Sequence, residues 1–191
     1  DYQWVNSSWL TDLISYFAFN NFGFIGISIL GAFVLTLTFY FFSKAAKLDY
    51  FDQSIIFPVL LILLAPINSV SFKGQMLSLL FTGILVFVLK LFEEGRRKWI
   101  FSLIPLFLVW SNLHGQFILG LVVLAISSVL LLSKKYFEKE SIGEIFSEFK
   151  LLFVVLLFCC LAAMVNPFGW SIYIEAFNHF GNPWQKYVME W

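Results

Sequence analysis

Apolar residues gather into six runs along the chain: Phe22 to Phe42, Ser54 to Ile67, Met76 to Phe92, Trp99 to Ser111, Gln116 to Leu132 and Lys150 to Val165. A helix that spans a bilayer needs about 20 apolar residues, within a range of about 17 to 25. The second and fourth runs fall short, and length alone suits them equally to a buried or re-entrant helix. Pro58 and Pro66 in the second run are tolerable in a bundle, where neighbouring helices re-satisfy freed carbonyls, and Pro66 lies where the helix should stop anyway.

The two ends of the chain are patterned differently. Trp9, Leu13, Tyr16 and Phe17 recur at helical spacing while Ser7, Ser8, Thr11, Asp12 and Asn20 take other faces, with Ser7 or Ser8 as N-cap. Trp170, Tyr173, Ile174, Phe177, Phe180 and Trp184 form a second aromatic stripe opposite Ser171, Glu175 and Asn178. Both stripes suit the headgroup layer, where aromatic rings with polar tips are favoured. Asn20-Asn21-Phe22-Gly23 reads as a turn between the first surface helix and the first run. The expected fold is all-α: a polytopic transmembrane helix bundle of about six spanning helices with two interfacial amphipathic helices.

Charge orients these elements. Ten of the twelve basic residues flank three connections: Lys44 and Lys47; Lys90, Arg96, Arg97 and Lys98; Lys134, Lys135, Lys139 and Lys150. Basic flanks resist translocation, so residues 44–53, 93–98 and 133–149 are expected to be cytoplasmic. The short runs then have to cross, because each pair of runs lies between two basic connections. Residues 68–75 and 112–115 become outer turns, and both chain ends are extracytoplasmic. Most of the unusual polar residues fall on that outer side.

Composition agrees. The chain is 60% hydrophobic and 13% charged, with a mean hydropathy of +0.86, against about 25% charged residues in an ordinary soluble domain. A formal net charge of +0 points to no nucleic-acid partner. Cys159 and Cys160, adjacent in an apolar run, are expected to pack as small hydrophobes. The chain starts at Asp1 without an initiator Met, and residues 1–191 are expected to be one transmembrane domain within a longer polytopic protein.

Several outward residues carry candidate chemistry. Asn112-Leu113-His114-Gly115 makes a tight polar turn; His114 either satisfies exposed carbonyls there or exchanges a proton with a ligand, and as a rim imidazole it is expected to contribute little to packing. Lys73, beside Gly74 and Gln75, is either a solvated charge or a place to hold a phosphate. Asp12 and Glu175 are outward carboxylates, each a base, a metal ligand or simply part of a solvated face. No ionisable residue lies near the middle of any run, whereas ion-coupled transporters keep such groups or broken helices at the midplane.

The order Trp4-Val5-Asn6-x-x-Trp9-Leu10, Lys73-Gly74-Gln75-Met76-Leu77-Ser78, Trp110-Ser111-Asn112-Leu113-His114-Gly115-x-x-x-x-Gly120, Val165-Asn166-Pro167-Phe168-Gly169 and a closing Glu190-Trp191 resembles a bacterial family of polytopic membrane proteins. That family is similar to the GT-C superfamily of lipid-linked-sugar glycosyltransferases, which includes protein mannosyltransferases and aminoarabinose transferases. The resemblance implies a site at the outer face of the bacterial inner membrane, with membrane lipid around it and a polyprenyl-phosphate sugar as donor. Family members carry Arg-Pro-Gln where this chain has Lys73-Gly74-Gln75, and the acidic motif of their first outer loop, the expected source of the carboxylate that deprotonates the acceptor hydroxyl, would precede Asp1. On this reading His114 and Asp12 are the candidate catalytic residues. Lys73, Gln75, Asn112, Asn166, Trp9 and Asn6 are the candidate substrate-binding residues. No metal ligand is assigned, and a divalent metal in the full-length protein stays open. The alternatives are a non-enzymatic membrane scaffold or lipid-binding subunit, then a transporter.

Overall fold

The computed structural model describes residues 5–63 and 72–181, and all regular structure among them is helical. The elements are α1 (Trp9–Ala46), α2 (Tyr50–Leu63), α3 (Gly74–Glu93), a 3-10 segment (Arg97–Ser102), α4 (Leu103–Leu113), α5 (Phe117–Phe137), α6 (Ile142–Ala163) and α7 (Ser171–Gly181). Of these, α1, α3, α5 and α6 are long and apolar enough to cross a membrane, while α2 and α4 are shorter. Trp4, Pro66, the stretch 68–71 of the expected outer turn, Trp184, Glu190 and Trp191 lie outside the described residues.

α1 joins the expected surface helix and first crossing through a sharp bend. Gly23 sits at φ 59°, ψ −150°, a conformation open essentially to glycine alone. Beyond the bend, a Cβ at Gly26 would lie 2.7 Å from the Ala18 carbonyl oxygen. Glycines at 23 and 26 therefore let residues before the bend close onto those after it. Ser8 is the N-cap residue but makes no side-chain capping bond; the Asn6 side chain accepts from its N–H at 2.9 Å instead.

Three turns at one end of the bundle close in one way. Lys47, Gly95 and Lys139 take positive φ, and the following residues bond back across the helix end: Leu48 to Ser43, Arg96 to Leu91, Glu140 to Lys135. This left-handed closure caps carbonyls that the helix end leaves unpaired. Ion pairs tie the same turns together: Lys47 with Glu94 at 2.7 Å, Lys134 with Glu93 at 2.6 Å, Lys135 with Glu140 at 2.8 Å and with Glu148 at 3.1 Å, and Arg97 with Glu148. The connection expected over 133–149 is much shorter than that. α5 continues to Phe137 and α6 begins at Ile142, because Glu148, its side chain 4% exposed, draws the first turns of α6 against Arg97 and Lys135.

α3 is the hub. More than half of its apolar window is buried, against 28% or less for the other three long helices. It packs on α1, on the 3-10 segment and on α4 and α5, while α6 closes over α4 and α5. One apolar core runs through these contacts, with Leu85, Ile100, Leu103, Phe107, Phe117, Leu124 and Val155 fully enclosed. Outside it stand exposed Phe, Ile and Leu side chains such as Phe24, Ile29, Phe33, Ile126, Leu130 and Phe153. A belt of this size is far beyond what a soluble monomer exposes and fits contact with lipid.

The second aromatic stripe is divided. Tyr173 turns inward, 9% exposed, and donates to the Cys160 carbonyl at 2.7 Å, while Trp170, Ile174 and Phe177 stay exposed. Glu175, expected on a solvated face, is buried. Ile172 and Tyr173 are the anchors of α7, so its inward face is set by them rather than by the full aromatic row. Cys159 and Cys160 are free, with Cys159 fully enclosed.

Candidate functional site

The end of the bundle opposite the ion pairs collects the start of α1, the start of α3, the α4–α5 turn and the residues after α6. Its centre is His114. As the last carbonyls of α4 run out, the backbone turns extended at His114 (φ −163°, ψ 138°), and the imidazole folds back onto α3. Its Nδ1 lies 2.8 Å from the Ser78 hydroxyl, which also receives the Trp110 indole N–H at 2.9 Å.

Ser78 thus links the Trp110 indole to the imidazole; its oxygen keeps a second lone pair after accepting from Trp110, so either ring tautomer completes the Nδ1 contact. Burial holds the imidazole neutral by lowering its pKa to about 4. The edge of the ring lies against Gly74, where a Cβ would come within 2.4 Å of His114 Cδ2 and 3.2 Å of Nε2. The ring is therefore a packed and hydrogen-bonded part of the helix contact, not the loosely attached rim group expected from its place in a turn. What it offers chemically is a neutral ring fixed in orientation.

Gly74 has a second consequence. Lys73, directly before it, is the N-cap residue of α3 in extended conformation (φ −134°, ψ 157°), and Gln75 follows it into the first turn. The first N–H groups of a helix lack internal partners and favour negative charge. The Lys73 and Gln75 backbone thus adjoins the His114 ring.

Asn112 is a knot between three elements. Its Oδ1 accepts the Trp9 indole N–H at 3.1 Å, and its Nδ2 donates to the Leu108 carbonyl at 2.8 Å and the Val165 carbonyl at 2.9 Å. Thr11 donates to the Leu113 carbonyl beside it. A Cβ at Gly115 would lie 2.8 Å from Ser7 Oγ, so the α4–α5 turn also packs closely on the residues before α1. Asn166 spends its side chain locally, donating to the Ala163 carbonyl at 2.7 Å and accepting from the Phe168 N–H at 2.8 Å. That turn ends α6 ahead of Gly169 at φ 53°.

Asp12 has a partner of its own. Asn6 Nδ2 donates to its Oδ2 at 2.8 Å, and the carboxylate lines an open cleft of about 400 Å³ in the bend of α1. Ser15, Tyr16 and Phe19 continue the same wall at helical spacing; Phe24 and Ile27 beyond Gly23, with Phe72 ahead of α3, form the other.

Trp9, Asn112, Lys73, Gln75 and His114 are thus brought to one region, with Asn166 at its edge and Asp12 with Asn6 beside the α1 cleft. Ser78, Trp110 and Thr11 were not among the sequence candidates. Ser78 carried a usable signal, being a polar residue one turn inside an apolar helix that starts Gly-Gln. Among the described residues, no group of three or more His, Cys, Asp or Glu side chains has the geometry to hold a metal ion. Comparison of the chain with protein-family models, with curated proteins and with solved structures gave no match.

Proposed function

We propose that this chain is the membrane-embedded part of a GT-C-type glycosyltransferase that takes a sugar from a polyprenyl-phosphate donor at the extracytoplasmic face of the bacterial inner membrane. The observation that carries the reading is that Lys73, at the N-terminus of α3, and the neutral, orientation-locked imidazole of His114 adjoin at the motif-bearing end. Six passes fit it. The 3-10 segment and α4 together rise about 28 Å over 97–113, close to the roughly 30 Å of a hydrocarbon core.

In this mechanism the bond between the sugar and the lipid phosphate breaks as the acceptor oxygen attacks the anomeric carbon. Negative charge grows on the departing phosphate. Lys73, the α3 N-terminus and the His114 imidazole stabilise it there. A carboxylate takes the acceptor proton, and Asp12 is the outward carboxylate that lines a cleft.

The test uses the full-length protein in proteoliposomes with polyprenyl-phosphate sugars. Lys73→Ala is expected to lower turnover about a hundredfold while Lys73→Arg retains most of it, because charge is what the phosphate needs. Transfer unchanged in Lys73→Ala, or no donor-dependent reaction in the wild type, would overturn the proposal. The second reading, a non-enzymatic scaffold, draws on the internal use of Trp9, Asn112 and Asn166, whose side chains bond to the protein itself. It expects the lysine variants to change thermal stability alone.

A further inference from the structure

The cleft in the bend of α1 is built unlike the His114 region. Its polar wall, Asp12, Ser15 and Tyr16, comes from one stripe of the helix before Gly23, and the lining turns aromatic towards the bend with Phe19 and Phe24, whose rings meet edge to face at 5.1 Å. Phe24 is 78% exposed and Tyr16 61%, so the cleft opens on the surface that carries the lipid-facing belt. Polarity thus changes along the cleft as it does along an amphiphile at a membrane surface.

Charge narrows the occupant. The one ionic group in the lining is a carboxylate, and no Lys or Arg stands with it among the described lining residues. Among the described residues the Asp12 carboxylate accepts from Asn6 at Oδ2, and a carboxylate has lone pairs for more than one such bond. An anionic headgroup would meet like charge there, while a hydroxyl would find an acceptor of the strong, charge-assisted kind.

We propose that the α1 cleft binds a membrane amphiphile whose headgroup presents a hydroxyl and carries no negative charge. Where the transferase reading above holds, on which this step rests, that amphiphile is the acceptor: a hydroxylated lipid reached from within the bilayer. The donor phosphate would sit separately, against Lys73 and His114. The division follows from electrostatics, since a phosphate and Asp12 repel while a phosphate and Lys73 attract.

The experiment reconstitutes the full-length protein with photoactivatable diacylglycerol or with phosphatidic acid bearing the same chains, and maps the cross-links. Diacylglycerol should label residues 12–27 and 72 about tenfold more than phosphatidic acid does. Asp12→Asn, which keeps the shape and removes the charge, should erase that preference. Ser15→Phe, which fills the cleft, should abolish labelling there while labelling at Ile126 and Phe153 on the lipid-facing belt persists and reports that the variant is folded. Equal labelling of the wild-type cleft by the two lipids, or undiminished labelling in folded Ser15→Phe, would overturn the proposal. Cleft labelling in a protein that transfers no sugar supports the site and removes the transferase reading. Transfer with no labelled cleft removes the site alone.

Discussion

Gly74 and His114 depend on each other. A methyl at residue 74 would meet the imidazole at 2.4 Å, so Gly74→Ala forces either the ring or the α3 terminus to move, at a cost of about 1–3 kcal/mol. In His114→Ala the obstacle is gone, and the two changes together should cost less than their sum by about 1–2 kcal/mol in thermal or denaturant unfolding. Simple additivity would show that the two residues do not touch. The imidazole also makes stability depend on pH. Its pKa is about 4 in the folded protein against about 6.5 unfolded. Its contribution is therefore fully present above about 6.5, falls as pH drops towards about 4, and amounts to about 3 kcal/mol across that window. His114→Gln should unfold with a flatter pH profile than the wild type over this range; parallel profiles would contradict a buried neutral ring. The sequence marked His114 as unusual but assigned it to a loose turn. That its ring packs on another helix depends on the contact with Ser78, 36 residues away, which spacing within a run does not encode.

At the scale of elements, the bend in α1 was legible and the ends of α5 and α6 were not. Asn20-Asn21-Phe22-Gly23 stands out as turn chemistry, and the chain does bend at Gly23. Residues 133–149, with three lysines and four glutamates, read as a loop; most of them are helical because the charges pair between helices, Lys134 with Glu93 and Lys135 with Glu148. Paired charge looks like solvated charge in a linear sequence. Gly23→Ala should cost about 1–3 kcal/mol, since alanine does not adopt that backbone conformation without strain. It should also loosen the Trp9 indole from Asn112, seen as a shift in tryptophan emission when each of the other indoles is replaced by Phe. An emission spectrum unchanged by Gly23→Ala would mean that the bend does not position the start of α1.

For the whole molecule, charge asymmetry conveys more than run length. The ten flanking basic residues predict that three turns share a face, and the ion pairs join those three turns at one end. Length alone leaves α2 and α4 ambiguous, and for α4 a 3-10 segment ahead of it stretches the chain further per residue than an α-helix does. In a background with Cys159 and Cys160 replaced by Ala, single cysteines at Gln116 and Glu138 should differ sharply in labelling by an impermeant thiol reagent applied to intact cells. Equal labelling at the two positions would refute the orientation.

None of the described residues of α2 is buried, although α1 and α3 on either side of it are packed together with their C-termini at the same end. Two parallel neighbours joined in sequence require the chain to be carried back between their ends, and α2 is the described part of the segment that does so. Like a cable, it is constrained in length and insulation and hardly at all in pattern. Apart from Phe57, whose ring stacks on Phe39 of α1 at 4.6 Å, exchanges among Phe, Ile, Leu and Val along it should pass unnoticed by the core. Changes to α3, the hub into which the neighbouring helices are fitted, are felt by all of them, so the sequence of this protein has room to drift in one helix and very little in the next.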